Sequence, residues 1–270
     1  MSKDMLGSLV RVLVTVPEHR LGLVKDVAHK LSSRDGDEWE PLLKECLRKE
    51  RKPVSSAEPV EGPPDLRNTG QTFGDWLVAR EKLHLFLTGE TVVLRDMFAI
   101  PDELLSRTDI IPVFRPAGAT NRMAMNWQTK LGMNSAYEES PGVDEYKNAG
   151  GPEQPELSYI SRSVRPDEDT LGKNARSPDQ LIAIKGKKWL NLYGWSDANN
   201  LHFLITGEYL DSGDTWTWFP EDRLQGDGEV ACGRWYSGNA QAGFCWGRRR
   251  SCRPSIGARV AIPIPLKPRS

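Results

Sequence analysis

The sequence predicts an α+β fold, and three observations predict it. Apolar residues recur at spacings of three and four in several stretches, as one face of a helix requires. Short runs such as "TWTWF" alternate with the two-residue period of a strand and are built from β-formers. Proline-rich breaks divide the chain, above all "KPVSSAEPVEGPPDLRN" at 52–68, which carries four prolines and little apolar content. The expected layout is a helical N-terminal segment at 1–51, a linker at 52–70, an α+β region with long polar loops at 71–177, and a C-terminal domain at 178–270.

The elements follow in order. Leu21, Val24, Val27, Ala28 and Leu31 form one helical face, and "EWEPLLKECLRKE" forms a second short amphipathic helix. The run from Leu9 to Val16 is rich enough in β-branched residues for a short strand. After the linker, "FGDWLVAREKLHLFLTGE" has helical spacing and a glycine, Gly89, suited to the left-handed end position. "TVVLRDMF" reads as a strand and "PDELLSRTD" as a helix with proline in its first turn. The polar stretch from Ala117 to Ser177 reads as a large loop or insert. "DQLIAIKGKKWLNLYGW" alternates at its start. Ser196 is the expected N-cap of a helix that Gly207 stops. "LHLFLTGE" at 83–90 recurs as "LHFLITGE" at 201–208, which a duplication could produce but which chance and shared helix-capping chemistry explain more simply.

Bulk properties narrow the function. A chain of 270 residues buries enough surface to fold without staples. Its 36 basic and 37 acidic residues leave a net charge of −1, which gives no global pull toward nucleic acid or anionic lipid. No apolar run reaches the roughly 20 residues of a membrane span. The start lacks a long apolar core and a small-residue cleavage site, so no signal peptide is expected and the location is cytoplasmic or virion-associated. Four cysteines, at 46, 232, 245 and 252, make no disulfide framework.

The most unusual stretch is "VACGRWYSGNAQAGFCWGRRRSCRPSIGARVAI", from Val230 to Ile262. The two-residue period puts Ala242, Phe244 and Trp246 on one face of a strand and Gly243, Cys245 and Gly247 on the other. A core accounts for Trp235, Phe244, Trp246 and Ile256. Folding accounts for little else there.

The spacing of Gly233, Trp235, Gly238, Gly243, Ser251, Ile256, Gly257 and Arg259 resembles the variable region of diversity-generating-retroelement target proteins. "GWSDANNLHFL" is similar to the helix start of the same superfamily. The resemblance covers roughly residues 178–270. It implies a C-type-lectin fold of the kind shared with formylglycine-generating enzymes, preceded here by the helical N-terminal segment. Two departures stand out: Ala258 where the family often has an aromatic, and three adjacent arginines.

The resemblance also implies a mechanism of variation. Template adenines are mutated, so AAC codons become NNC codons, which cannot encode Lys, Glu, Gln, Met or Trp. From Cys232 to Arg259 the chain has no Lys, Glu or Met, and all its basic residues are Arg. Trp235, Gln241 and Trp246 are then template-fixed. The implied function is ligand binding through replaceable side chains on a rigid scaffold, without catalysis and without a cofactor. The expected surface is Tyr236, Ser237, Asn239, Gly243, Cys245, Gly247, Arg248, Arg250, Cys252 and Arg253. Its arginines favour an acidic protein or other macromolecular partner. The alternatives are a structural or host-interaction protein of the same fold without diversification, and a basic-patch nucleic-acid binder. The last would need a wider basic surface than the chain offers.

Other chemistry fits less well. Cys232, Cys245 and Cys252 include no C-x-x-C pair, and the nearest histidine is His202, so no zinc site is expected. Cys245 and Cys252 match, at most, the reactive pair of the formylglycine-generating relatives. "TGETVVLRD" lacks the G-K-[ST] of a phosphate loop.

Overall fold

The computed structural model describes residues 62–134, 137–138, 142–224, 228–238 and 241–268. The chain divides into Met1–Pro59 and Val60–Ser270, and the described residues belong to the second unit. The N-terminal helical segment, the strand expected near Leu9 and most of the linker lie outside the described residues.

Helix α1, Phe73–Thr88, starts at a reciprocal cap. Asp75 N–H donates to Thr72 Oγ1 at 3.2 Å, and Thr72 N–H donates to Asp75 Oδ2 at 3.0 Å. The helix ends at Gly89, whose φ of 78° is left-handed. Then come two single turns, α2 (Leu94–Met97) and α3 (Asp102–Leu105), and strand β1 (Ile110–Arg115). "TVVLRDMF" is therefore a helical turn, not a strand. Glu81 on α1 accepts the Leu94 N–H at 2.7 Å, which fixes a helix start where composition favours extension. Only Phe98, beyond the turn, makes a β-bridge, with Leu266.

The stretch expected to be a large loop holds regular structure: α4 (Asn121–Lys130), β2 (Tyr137–Glu138) and β3 (Glu156–Ser161). Next, α5 (Pro178–Ile182) replaces the expected alternation, because Ser177 and Gln180 cap it reciprocally. Helix α6 spans Leu192–Thr206. Ser196 does not cap it and is fully buried within it. Asn191 Oδ1 caps the helix by accepting from Gly194 N at 2.7 Å, and Asp222 Oδ2 accepts from Leu192 N at 2.6 Å. Gly207 ends it with φ 79°, as expected. The recurring "LTGE" and "ITGE" ends share one cap: Thr88 and Thr206 hydroxyls each donate to the histidine carbonyl four residues earlier at 2.8 Å.

The remaining strands are β4 (Trp216–Arg223), β5 (Glu229–Tyr236), β6 (Gln241–Arg248), β7 (Ile256–Gly257) and β8 (Ile262–Ile264). Two sheets form, in the orders β1-β3-β8 and β2-β6-β5-β4-β7. The first joins strands from both halves of the chain, so residues 71–177 and 178–270 share one sheet and one core. The main core lies between α1, β1, α4, α6 and the inner face of the five-stranded sheet, where Trp195 meets Phe219 and Phe244. A second cluster, with Phe73, Phe98, Phe114 and Ile264, packs α1 to α3 against the three-stranded sheet. Among the described residues, no helix is long and apolar enough to cross a membrane.

At the centre, Arg80 of α1 meets Asp197 of α6, both buried, with Nη2 to Oδ1 at 2.7 Å and Nε to Oδ2 at 3.1 Å. Asp197 also accepts the Phe114 N–H of β1 at 3.1 Å. Burial raises the Asp197 carboxyl pKa, and Arg80 and the amide oppose that rise.

Candidate binding surface

The five-stranded sheet has two faces, and the residues of the glycine-rich segment divide between them. On the inner face, Trp235, Ala242, Phe244 and Gly233 pack into the core. A Cβ on Gly233 would approach the Phe219 ring to 3.0 Å, so this glycine permits a close aromatic contact. Trp235 stacks on Tyr209 with centroids 3.5 Å apart. Trp246 shares this phase, opposite the buried Ala231, but is 37% exposed. The expectation that Trp246 is buried is therefore corrected.

The end of the motif is structural. Ile256, Gly257, Ala258 and Arg259 are all buried. A Cβ on Gly257 would meet Pro166 at 2.7 Å and the Thr170 hydroxyl at 2.9 Å. Ala258 bonds the same hydroxyl through its N–H at 2.9 Å and is itself fully buried. Arg259 donates to Asp211 Oδ1 at 2.9 Å and to the carbonyls of Ser163 and Val164. Nearby, Asp167 accepts the Val260 N–H at 2.7 Å, and burial raises its carboxyl pKa.

The outer face is half covered. Toward the β6 C-terminus, Trp218, Val230 and Cys232 pack with Leu181 of α5, Trp189, Ile256 and Ala258. Trp218 lies over Gly247, where a Cβ would come within 2.4 Å of the indole. Toward the hairpin tip, Tyr236 lies over Gly243, where a Cβ would come within 2.0 Å of the phenol ring. Gly243 is thus buried, and Gly247 and Cys245 are only partly exposed. The expectation that these three positions are open and freely replaceable is corrected, because neighbouring rings and a second thiol occupy the space above them. Cys245 stands opposite Cys232, with the two Sγ atoms 2.7 Å apart. The pair that the structure brings together is Cys232 and Cys245; Cys252 instead directs its Sγ to the Ala175 carbonyl at 3.2 Å.

What remains open at the tip is an aromatic and cationic strip. Arg234 lies between two rings, 5.1 Å from the Trp216 centroid and 4.7 Å from that of Tyr236, and donates to the Gly213 carbonyl at 3.1 Å. Trp216 and Tyr236 meet edge to face at 5.9 Å. Trp216, Arg234, Tyr236 and Gln241 are all half-exposed, and Ser237 beyond them is exposed. A shallow depression lined by Arg165, Glu168, Asp214 and Ser255 adjoins the strip. Sequence reading passed over Trp216 and Arg234. The signal was present, because strand alternation puts Trp216, Arg234 and Tyr236 on one side once the β4–β5 register is known.

The arginine cluster lies elsewhere. Tyr236 pairs with Gln241 at one end of the β5–β6 hairpin, and Arg248 pairs with Glu229 at the other. Seven strand steps put these ends roughly 23 Å apart. Arg248, Arg250, Cys252 and Arg253 are exposed. Arg249 between them is tied down, with Nε 3.4 Å from Asp179 Oδ2 and its N–H donating to the Gly228 carbonyl. The expected single patch of Tyr236 with Arg248, Arg250 and Arg253 is corrected for Arg248 and Arg250, which lie toward the opposite end of the hairpin from Tyr236. Asn239 lies outside the described residues. The chain matches no family model, no curated protein and no solved structure.

Proposed function

We propose that this protein binds a macromolecular ligand through variable side chains on a C-type-lectin-like scaffold, diversified by a retroelement. One observation carries the reading. Within a single short segment, several side chains expected to be fixed are buried and several expected to vary face solvent, with Gly243, Cys245, Gly247 and Trp246 as exceptions. Trp235, Phe244, Ile256 and Arg259 are buried and engaged, whereas Ser237, Arg248, Arg250, Cys252 and Arg253 face solvent. An exposed residue in this position can change at little energetic cost, since surface substitutions usually fall within about 0.5 kcal/mol.

The half-exposed strip of Trp216, Arg234 and Tyr236 suits the binding role best. Trp, Tyr and Arg dominate binding hot spots because each offers a large contact area with a directional donor. Gly243 and Gly247 belong to the scaffold on this reading, since each seats a ring. The five-stranded sheet that carries the surface includes β2, so the functional unit begins well before residue 178.

The test is the DNA of this gene and of its siblings. Codons for Arg234, Tyr236, Ser237, Arg248, Arg250, Cys252 and Arg253 should be of the NNC form and should vary, matched to a nearby template repeat with AAC. Codons for Trp235, Phe244, Gly257 and Arg259 should not vary. Variation spread evenly over buried and exposed codons would reject diversification and leave a lectin-like protein of fixed specificity.

A further inference from the structure

We propose that Cys232 and Cys245 are a redox pair that closes to a disulfide on exposure to a low-molecular-weight disulfide. The two residues are directly opposed on adjacent antiparallel strands, with Sγ atoms 2.7 Å apart and no disulfide bond between them. Opposed residues in such strands have Cα atoms about 4.5–5.5 Å apart, inside the window of about 4.4–6.8 Å that a disulfide spans. Closure is therefore within the reach of two opposed strand residues. The setting is asymmetric: Cys232 is buried, whereas Cys245 is half-exposed at the edge of the cover formed by Trp218. Cys245 is thus the thiol that an incoming reagent meets, and Cys232 is the one that resolves the mixed species.

The chemistry balances with glutathione disulfide as oxidant. The Cys245 thiolate attacks one sulfur of glutathione disulfide, forms a mixed disulfide and expels one glutathione thiolate. The Cys232 thiolate then attacks the Cys245 Sγ, forms the Cys232–Cys245 bond and expels the second glutathione thiolate. Two electrons pass from the protein to the reagent, and the two thiol protons pass to the released thiolates. Closure ties β5 to β6 on the outer face, between the ring of Tyr236 over Gly243 and the ring of Trp218 over Gly247.

The inference stands apart from the ligand-binding reading, and its test does not depend on a ligand. The full chain carrying Cys46→Ser and Cys252→Ser retains only the pair. It is incubated with glutathione disulfide, quenched, alkylated and weighed intact, beside a dithiol of known behaviour that confirms oxidation. The expected result is loss of both alkylatable thiols, a mass lower by two hydrogens and no retained glutathione. Adding Cys232→Ser should leave one glutathione on Cys245. A reductant-reversible rise of several degrees in melting temperature should accompany closure and reports on the folded protein directly. Glutathione retained by the two-cysteine protein, or both thiols still alkylated once the control dithiol is oxidised, overturns the proposal.

Discussion

Arg259 and Asp211 form a fully buried ion pair, 2.9 Å from Nη2 to Oδ1, and each anchors a different part of the domain. Asp211 sits in the left-handed region at φ 55°, the only non-glycine residue among those described to do so. Its Oδ2 accepts the Trp195 indole N–H at 2.7 Å and the Thr217 hydroxyl at 2.6 Å. Its carbonyl accepts the Trp235 N–H at 3.2 Å. Arg259 reaches the 163–164 loop from the other side. The pair thus joins α6, β4, β5 and the last arm of the chain.

Removing one partner leaves the other charge buried and unpaired, which typically costs about 3–5 kcal/mol. Arg259→Met should therefore lower stability by that amount in urea unfolding. Arg259→Lys should recover only part of it, because an ammonium cannot serve the carboxylate and two carbonyls with a planar fork. A loss under about 1 kcal/mol for the Met variant would show the pair to be replaceable.

Phe244 and Trp246 share a strand phase but should behave differently. Phe244→Ala opens a cavity beside Trp195 and should cost about 3–5 kcal/mol. Trp246→Ala should cost clearly less, because that side chain is 37% exposed. Equal losses in the two variants would mean that Trp246 is packed as firmly as Phe244.

That difference illustrates what the sequence could and could not supply. Period two assigned Phe244 and Trp246 to one face correctly, but how far each side chain is covered depends on tertiary packing over that face, which no local pattern encodes. Caps were legible where the cue was local, as at Gly89 and Gly207. Ser196 misled because the better cap, Asn191, lies five residues earlier and is reinforced by a distant Asp222. The candidate strip was half legible: Tyr236 was visible, but Trp216 and Arg234 required the pairing of β4 with β5. The separation of the arginines from Tyr236 followed from the hairpin register, which no local pattern encodes.

Two glycines of the outer face should tolerate a methyl unequally. Gly247→Ala drives into the buried Trp218 indole, which is held between α5 and the sheet, and should cost about 1–3 kcal/mol as overpacking. Gly243→Ala meets only the ring of the half-exposed Tyr236, which can swing outward. Thermal melts of the two variants should rank Gly247→Ala well below Gly243→Ala. The reverse order would mean that Tyr236 is the more firmly seated ring.

Asp222 should make stability depend on pH. It is fully buried, and burial pushes its carboxyl pKa from 3.8 up to about 7, against the opposing pull of the Leu192 amide and Arg115. Below about pH 4 the group is protonated in both folded and unfolded chains. As pH rises from there toward 7, the unfolded chain ionises first, so the stability gained by holding a neutral carboxyl is lost by up to about 1.4 kcal/mol per unit. Asp222→Asn keeps an acceptor for the amide and never ionises. The wild-type advantage over this variant should shrink between pH 4.5 and 7 and level off above. The paired comparison cancels His84 and His202, whose pKa values burial lowers and which therefore weaken the fold on acidification. A difference that does not change with pH would mean that Asp222 is ionised throughout.

The two patches of the hairpin should separate in binding. Variant one replaces Arg248 and Arg250 with Ser, and variant two carries Trp216→Ala and Tyr236→Ala. Both sets are exposed or half-exposed, so both proteins should fold, as circular dichroism can verify. A partner recovered from host extract and identified by mass spectrometry is then titrated at two salt concentrations. If the aromatic strip is the recognition centre, variant two should lose at least tenfold in affinity, about 1.4 kcal/mol, with little dependence on salt. Variant one should mainly slow association, and that effect should fade at high salt because exposed charges are screened. A nucleic-acid binder behaves in another way: affinity for an arbitrary duplex or single strand falls linearly with the logarithm of salt, and variant one flattens the slope. Full affinity in both variants would move the binding face off the hairpin altogether.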